Sequence, residues 1–353
     1  MFTYLLNMRL SASLFLLALL ISCSNSGIEP IQEDDSPETP TLFKGPFSVN
    51  GAEIQEDGVS IQLKGVNALQ TFGLGDPSLM NEWSIEIVRE FIGNLREQPI
   101  VGTAIQGSDQ VWYHALQTIV DQNRAHGKVT IICPFGWVNE SGERQLLTGL
   151  NPSSQSFYAD YKEKMRQIAD HFKDQTDVWI EVWNEPYNWD NQKGYSHDLW
   201  LSDMQDMVDN LRDVEGFESI ILVPGNEQGQ SEDAITARGN QLLDGRYNLV
   251  FDLHAYEKWL VGSTEEQVTT RLQNLQNQSF AFLFGEVGIQ NVGDVMPVQH
   301  FLNAVESTQT TTLAWLWNQN SEDNSALLTD EGTPNATATN NFWGSTYRSF
   351  LEN

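Results

Sequence analysis

The sequence predicts an α/β chain that folds as a single (β/α)8 barrel. Short apolar runs rich in β-branched residues alternate with helical patterns at roughly even spacing from about Phe43 onward, which is typical of parallel strands joined by right-handed crossovers. Polar or aromatic residues follow predicted strands three to eight. A barrel brings all of these strand ends to one mouth, whereas a doubly wound open sheet does not. The 353 residues fit one such barrel plus a tail.

In the first half, the apolar spacing predicts a hairpin strand, four barrel strands and three helices. Ile87, Val88, Phe91 and Ile92 have helical spacing, and Gly93-Asn94 is typical of a helix end. Val178, Ile180 and Val182 alternate as in a strand, which Pro186 would end because proline lacks the ladder donor. The predicted order is a hairpin strand and strand one within 59–66, helix 83–92, strand two 95–101, helix 111–126, strand three 129–133, helix 157–172 and strand four from 178.

The second half repeats this alternation. Apolar runs predict the strands, and apolar residues at a period near 3.6 predict the helices between them. The predicted order is helix 199–211, strand five 219–223, strand six 249–253, helix 264–275, strand seven 280–284, helix 298–306, strand eight 312–317 and a final helix 341–351.

The N-terminal segment is predicted to be a targeting leader followed by a flexible linker. Residues 1–22 carry Arg9 and a short apolar stretch, and Met8 is an alternative start. Leu20-Ile21-Ser22-Cys23 resembles a bacterial lipobox, which implies cleavage before Cys23 and lipid attachment to it; the alternative is an ordinary secretory peptide with an incidental cysteine. Residues 23–42 are acidic and contain prolines, as in a flexible linker, and 43–353 form the barrel domain.

The charge balance limits the partners. With 19 Lys and Arg against 48 Asp and Glu, the net charge is −29, and such a surface repels nucleic acid and anionic membrane. We expect a monomer that acts on a neutral substrate and meets a membrane only through its lipid. Eleven tryptophans suit sugar binding, since an indole ring stacks on a sugar while its N–H bonds a hydroxyl. At least half of them are expected in the core.

Two glutamates at strand ends indicate the chemistry. Glu185 lies in Asn184-Glu185-Pro186 after strand four, and Glu286 follows Gly285 after strand seven. Each alone could be a solvated surface residue, because the chain has 48 acidic residues. As a pair at a barrel mouth they match retaining glycoside hydrolysis, which needs two carboxyl groups about 5 Å apart with their pKa values pushed apart.

An ordered set of short motifs spans about 43–350. It consists of Gly65-Val66-Asn67, Asn94-Leu95-Arg96, Asn184-Glu185-Pro186, His254-x-Tyr256, Gly285-Glu286 and Trp315-x-Trp317. This set resembles glycoside hydrolase family 5, within the clan of (β/α)8 retaining glycosidases. The chain departs from the family pattern after strand three, where many members carry a histidine and this chain has Pro134-Phe135-Gly136-Trp137.

The resemblance implies roles for the catalytic pair and its neighbours. It makes Glu185 the general acid/base and Glu286 the nucleophile, with Asn184 bonding the sugar 2-hydroxyl. His254 would line the same subsite and reach the acid/base, and Tyr256 would donate to the nucleophile.

The resemblance also implies a cation and a sugar platform. Arg96 would position the nucleophile, with Arg89 as a weaker candidate for that role. Trp315 or Trp317 would form the floor under the sugar, and the two cannot be separated because they alternate to the same strand face. Trp137, Trp189 and Trp259 lie near strand ends and are candidate platforms in outer subsites.

Together these observations predict a lipid-anchored, extracytoplasmic retaining endo-β-1,4-glycanase that cuts β-mannan or β-glucan. A β-1,3-glucanase or an exo-acting β-glycosidase of the same family is an alternative, and a non-catalytic surface glycan-binding lipoprotein is one from another class. We expect no cofactor and no metal, because the six histidines show no paired ligand spacing.

Overall fold

Eight parallel strands close into a barrel in the computed structural model of the chain, which describes residues 44–317, 325–329, 331–340 and 342–352. Each strand pairs with the next along the chain, and the last pairs with the first through Thr312 and Lys64. The strands are β1 Lys64–Ala68, β2 Ile87–Ile92, β3 Val129–Pro134, β4 Val178–Glu181, β5 Ile221–Pro224, β6 Leu249–Ala255, β7 Phe282–Val287 and β8 Thr312–Ala314. The predicted (β/α)8, or TIM, barrel is therefore confirmed.

A helix follows each strand and covers the outside of the barrel. Local signals fix several helix starts, such as the Thr264–Gln267 capping box at the start of α6. The helices are α1 Pro77–Asn81, α2 Leu116–Ala125, α3 Tyr158–Phe172, α4 His197–Arg212, α5 Asp233–Leu243, α6 Glu265–Asn277, α7 Gln299–Ser307 and α8 Trp343–Leu351, with one extra turn at Glu257–Leu260. Within the described ranges, none of these helices is both long and apolar enough to cross a membrane.

A small antiparallel sheet closes the end of the barrel where the strands begin. Its strands are Phe47–Asn50, Glu53–Glu56 and Val59–Ser60. Phe47 packs edge-to-face on Trp179 of β4 with ring centroids 5.4 Å apart, and its cluster includes the lower barrel residues Ile87 and Leu313. Because this end is filled with apolar side chains, polar chemistry is left to the opposite end.

Short strand pairs shape the loops at the open mouth. Ile105–Gln106 pairs with Trp112–Tyr113, and Gly136–Val138 pairs with Arg144–Leu146. Glu185–Pro186 pairs in parallel with Thr148–Leu150. The loops that follow β2, β3 and β4 therefore carry ordered backbone that can hold side chains in fixed positions.

Strand two and the helix before it were predicted wrongly. Residues Ile87–Ile92 form β2 rather than a helix, and all six are buried. A run of apolar residues that is buried on both faces fits a helix or a strand equally well, so periodicity alone misassigned it. The residues predicted as strand two, 95–101, form turns.

Smaller differences concern two helices and two element boundaries. Helices α1 and α5 were not predicted. The helix predicted from Val111 begins at Leu116, because Trp112–Tyr113 is extended, and β8 ends at Ala314 rather than at Trp317. The leader, the linker to residue 43 and Cys23 lie outside the described residues.

Tyr347 on the last helix holds the seam where the barrel closes. Its buried hydroxyl lies 2.7 Å from the carbonyl oxygen of Gly65 on β1 and 3.0 Å from that of Thr312 on β8. These two strands join the end of the chain to its beginning, so this contact links elements far apart in sequence.

We expect Tyr347→Phe to lower the free energy of unfolding by about 1–2 kcal/mol, because two buried carbonyl groups lose a shared donor. Urea denaturation followed by tryptophan fluorescence measures this change. Tyr247→Phe is the matched control, since 52% of the Tyr247 surface is exposed. Equal stability of the two variants would contradict a role for Tyr347 in closing the barrel.

Candidate active site

A layer of polar side chains fills the barrel mouth directly above the apolar interior. Its members come from six of the eight strands or the residues just after them, and most are fully buried. They are Asn67, Arg89, Cys133, Glu181, Asn184, Glu185, Asp252, His254 and Glu286. Closure of the barrel brings these residues, which are distant in sequence, within hydrogen-bonding distance.

Arg89 on β2 is the centre of this layer. Its guanidinium donates two hydrogen bonds to the carboxylate of Glu181, at 2.7 and 2.9 Å. It also donates to Oδ1 of Asn67 at 3.0 Å, to Oδ1 of Asn184 at 2.9 Å and to Oε1 of Glu286 at 2.8 Å. A planar guanidinium with five N–H groups can serve several acceptors at once, which an ammonium group cannot do.

Both carboxylate oxygens of Glu286 accept a hydrogen bond. Arg89 Nη1 bonds Oε1, and the Tyr256 hydroxyl bonds Oε2 at 2.7 Å. Burial raises the pKa of Tyr256 well above its usual value, so the phenol keeps the proton that it donates. Gly288 leaves room for this ring, because a Cβ there would lie 2.4 Å from a Tyr256 ring carbon. The Glu286 carboxylate is thus fixed in one orientation.

Glu185 lies beside Glu286 and is linked to it through His254. A hydrogen bond of 3.0 Å joins Oε1 of Glu185 and Nδ1 of His254, and that nitrogen is 3.6 Å from Oε2 of Glu286. One oxygen of each glutamate and a nitrogen of His254 lie within 4.8 Å of one another. The two carboxyl groups are therefore close enough to act on the same atom of a ligand.

The two carboxyl groups differ in surroundings. Although 16% of the Glu185 side chain is exposed, burial raises the pKa of its carboxyl, and the charge of Glu286 raises it further against the opposing hydrogen bond from His254. Glu286, with two donors on its oxygens, has the environment of an anion. Two carboxyl groups in contrasting environments can act as an acid and a nucleophile.

A second set of buried acids lies under this pair. Glu181 accepts hydrogen bonds from Arg89, and Oδ1 of Asp252 accepts the Gly285 N–H at 2.6 Å. Gly285 is required here because a Cβ would lie 2.3 Å from the Asp252 carboxylate. Burial raises the pKa of Glu181 to about 7, against the charge of Arg89. Burial would lower the pKa of His254, but Glu286 and hydrogen bonds to Asp252 and Glu185 raise it well above its usual value.

The amide of Asn184 and the thiol of Cys133 complete the layer. Asn184 accepts from Arg89, and its Nδ2 is 3.4 Å from Oγ1 of Thr148. The Cys133 sulfur lies 3.5 Å from Oδ1 of Asn184. Burial raises the pKa of this thiol well above its usual value, so it is a neutral packing group and not a nucleophile.

Arg96 does not join the cluster, and its predicted role in positioning Glu286 is wrong. Its guanidinium bonds Glu97 and Ser108 in the loop after β2 and the Asn139 carbonyl in the loop after β3, and 27% of its side chain is exposed. Arg89 occupies this position instead. It was only a weaker candidate because its strand was predicted as a helix. Once Ile87–Ile92 is recognised as a strand, an arginine in its middle must lie inside the barrel or among the helices.

Trp315, and not Trp317, lies at the surface of the mouth. Trp317 is fully buried and packs edge-to-face on Trp83 at 5.1 Å. Trp315 is half-buried and packs against Phe91 at 4.8 Å. Strand alternation did not separate them, because β8 ends at Ala314 and neither residue is in the strand.

Of the three predicted outer platforms, only Trp189 is partly open to solvent. Trp137 is buried against Phe157 with parallel rings 5.0 Å apart. Trp259 is fully buried, with the Arg271 guanidinium 3.4 Å from its ring centroid. Neither ring is free to stack on a sugar, so those two predictions are wrong.

The structure also exposes a tryptophan that the sequence did not single out. All eleven tryptophans lie in the described ranges, and Trp112 is the one that is exposed, with 57% of its surface accessible. It lies in the loop after β2, the strand that periodicity did not identify. The position of Trp112 in a short hairpin could be found only from the fold.

Aromatic residues occupy the region where the family pattern has a histidine. Phe135, which follows β3, packs on Phe91 with ring centroids 4.4 Å apart, and Phe91 in turn supports Trp315. The guanidinium carbon of Arg89 lies 5.1 Å from the Phe91 ring centroid. This side of the mouth is therefore apolar, in contrast to the carboxylate side.

The carboxylate cluster does not fit a metal ion well. Glu181, Asp252 and His254 form one group of potential ligands, and Glu185, His254 and Glu286 form another. Arg89 already bonds both oxygens of Glu181 in the deeper group, and both nitrogens of His254 already have polar neighbours, Glu185 at Nδ1 and Arg89 at Nε2. The cation of this site is supplied by the chain itself.

Residues 50–321 match the family model described as Cellulase (glycosyl hydrolase family 5). A mannan endo-1,4-beta-mannosidase from Salipaludibacillus agaradhaerens is 28% identical over 149 residues, which are 41% of this chain and 46% of that enzyme. The chain thus spans about half the length of this curated relative.

Solved structures share the barrel at low sequence identity. The catalytic domain of a mannanase from Streptomyces sp. SirexAA-E superposes with a TM-score of 0.65 at 18% identity, over 92% of this chain and 98% of that one. An endoglucanase catalytic domain from Thermobifida fusca gives a TM-score of 0.63 at 19% identity, over 88% of this chain and 98% of that one.

We expect Arg89→Lys to lower the free energy of unfolding by about 2–4 kcal/mol, because an ammonium group leaves several buried acceptors without a donor. Arg96→Lys is the matched control and should change stability by less than about 0.5 kcal/mol. Urea denaturation of both variants tests this difference. Equal losses would show that Arg89 is not the centre of the buried network.

Proposed function

This chain belongs to glycosyl hydrolase family 5, and on that basis we propose that it is a retaining endo-β-1,4-glycanase. The observation that carries the proposal is the closeness of Glu185 and Glu286, whose oxygens lie within 4.8 Å of each other. Retaining glycosidases need their two carboxyl groups about 5 Å apart, whereas inverting ones leave a wider gap for water.

In the first step Glu286 acts as the nucleophile. One of its carboxylate oxygens bonds the anomeric carbon, the bond to the leaving sugar oxygen breaks, and Glu185 gives that oxygen its proton. The raised pKa of Glu185 keeps this proton available near neutral pH. Arg89 and Tyr256 hold the attacking carboxylate in place, so little reorientation is needed.

In the second step Glu185 acts as a base. It accepts a proton from a water molecule, the water oxygen bonds the anomeric carbon, and the ester bond to Glu286 breaks. Once the leaving sugar has departed and Glu286 carries no charge, the pKa of Glu185 is no longer raised by a neighbouring anion. The same carboxyl group can thus serve both steps.

Two further residues are proposed to hold the sugar at the cleavage point. Oδ1 of Asn184 accepts from Arg89 and one N–H of its Nδ2 faces Thr148, so the second N–H is proposed to bond the 2-hydroxyl. Trp315, half-buried and supported by Phe91, would form the floor under the ring. Trp189, with the Lys258 ammonium 5.0 Å from its ring centroid, is the proposed platform in an outer subsite.

Mannan and glucan are both proposed as substrates. The curated relative named above is a mannosidase, and the solved structures include a mannanase and an endoglucanase. The two backbones differ in the configuration of the 2-hydroxyl, the group that Asn184 is proposed to bond. A β-1,3-glucan, exo-action and glycan binding without cleavage are the alternatives that the following assay separates.

We expect release of reducing sugar from one or more of glucomannan, galactomannan, carboxymethylcellulose and barley β-glucan, and none from laminarin. Glu185→Ala should lower the rate about 10²–10⁴-fold, the usual contribution of a general acid. Glu286→Ala should abolish release. Azide should restore turnover of an activated aryl glycoside in both variants, with products of opposite configuration. Glu185→Ala should give the β-glycosyl azide, because the glycosyl ester still forms there, and Glu286→Ala should give the α-glycosyl azide by direct displacement.

The pH profile provides an independent check on the acid. In the wild type, activity should fall as pH rises through the raised pKa of Glu185, since the proton donor is then lost. Glu185→Ala should lose this alkaline limb on the activated substrate. Intact binding without release from any polymer would overturn the enzyme assignment in favour of a glycan-binding protein.

We also propose the domain arrangement of leader 1–22, linker 23–42 and barrel domain 43–353, with a lipid on Cys23. The lipobox-like Leu20-Ile21-Ser22-Cys23 and the acidic, proline-containing stretch after it support this arrangement. It would hold the enzyme extracytoplasmically at a bacterial cell envelope.

Labelled palmitate should be incorporated into the full chain expressed in a bacterium and not into Cys23→Ser. Cys133→Ser is the matched control and should keep the label, because Cys133 is buried in the barrel. Secretion of an unlabelled wild-type protein would indicate an ordinary signal peptide.

A further inference from the structure

Trp112 presents a large apolar ring to solvent at the barrel mouth. It lies in the loop after β2, and 57% of its surface is accessible while eight other tryptophans are buried. Exposing an indole ring forgoes the free energy of apolar burial, so an exposed tryptophan at a binding face points to a ligand contact.

The hairpin that carries Trp112 is fixed to the barrel from its other face. The neighbouring Tyr113 is fully buried, and its hydroxyl donates to Oδ2 of Asp109 at 2.6 Å. Arg144, from the hairpin after β3, donates to both of these groups. The His114 N–H bonds the Thr71 carbonyl at 2.9 Å. The ring of Trp112 is thus attached to rigid backbone.

An amide accompanies the ring on the same face of the hairpin. Gln106 pairs directly with Trp112 across the two strands, and directly opposed residues share a face. Gln106 is also exposed, and its Nε2 donates to the Gln110 carbonyl at 3.0 Å. An aromatic ring beside an amide matches a sugar, which offers an apolar ring face and polar hydroxyl groups.

The hairpin is continuous with the proposed cleavage site. Tyr113 and Val111, on the opposite face of the strand from Trp112, belong to the apolar cluster that includes Phe91, Phe135 and Trp315. Trp112 therefore lies on the outer face of a hairpin whose inner face packs in the same cluster as Trp315, the proposed sugar floor. A polymer that lies on Trp315 can extend over this rim.

We propose that Trp112 and Gln106 form a distal subsite that binds further sugar units of the same neutral β-linked glycan whose bond is cut. This inference rests on the proposed function, and it adds a place where chain length contributes to binding. A charge of −29 favours a neutral chain over an acidic one. A distal subsite serves an enzyme that cuts inside long chains, because short chains cannot reach it.

The test uses the oligosaccharide series, from trimer to heptamer, of whichever polymer the wild type hydrolyses. Trp112→Ala should raise KM about 5- to 30-fold for the longer members and leave kcat unchanged, as expected when one stacking contact is lost away from the reacting bond. The shortest substrates should be unaffected. Gln106→Ala should give a smaller rise, and Trp112→Phe should restore most of the affinity.

Tyr247→Ala is the matched control, since Tyr247 is 52% exposed and lies just before β6 at the opposite end of the barrel. The melting temperatures of all variants should agree, because Trp112 and Tyr247 are surface residues. Indistinguishable kinetics of Trp112→Ala and Tyr247→Ala, or an equal loss on short and long chains, would overturn the proposal.

Affinity electrophoresis through gels that contain each polymer separates this proposal from the catalytic one. The comparison is made in the Glu286→Ala background, where cleavage does not interfere. Weaker retardation on adding Trp112→Ala supports the subsite even if the wild type cleaves nothing. If Glu286→Ala with and without Trp112→Ala are equally retarded in every gel, and the wild type is active, the distal subsite is contradicted and the proposed function is not affected.

Discussion

The mouth of the barrel depends on one buried guanidinium. Arg89 contacts groups from β1, β7 and the end of β4 through a single planar side chain, and no part of it is exposed. Burying such a charge is costly unless its partners are present in good geometry. The positions of Asn184 and Glu286 therefore follow from the requirement to satisfy Arg89.

This constraint also separates the two glutamates chemically. Glu286 shares Arg89 with Glu181, whereas Glu185 bonds His254. His254 is in turn surrounded by Asp252, Glu185 and Glu286, which together favour its protonated form. The buried acids beneath the pair thus act on Glu185 through the histidine that bonds it.

The aromatic residues divide into two populations with different consequences. Most tryptophans pack in the barrel or under the helices, as Trp259 does beneath Arg271. Trp112, Trp189 and Trp315 retain access to solvent, and all three follow barrel strands at the mouth. Within the described ranges, accessible indole rings therefore lie on the face that carries the carboxylates, where an extended glycan would meet them.

The sequence by itself determined the barrel, the carboxylate pair and the aromatic character of the mouth, because strand-end motifs such as Asn184-Glu185-Pro186 consist of consecutive residues and can be recognised without the fold. The tertiary structure decided that Arg89 and not Arg96 meets Glu286, that Trp315 and not Trp317 is accessible, and that Trp112 is exposed. The run Ile87–Ile92 shows why. Residues buried on every side carry no periodicity that distinguishes a strand from a helix. Barrel closure decides which side chains meet at the mouth. It brings together residues that are far apart in sequence, and no local sequence pattern indicates such contacts.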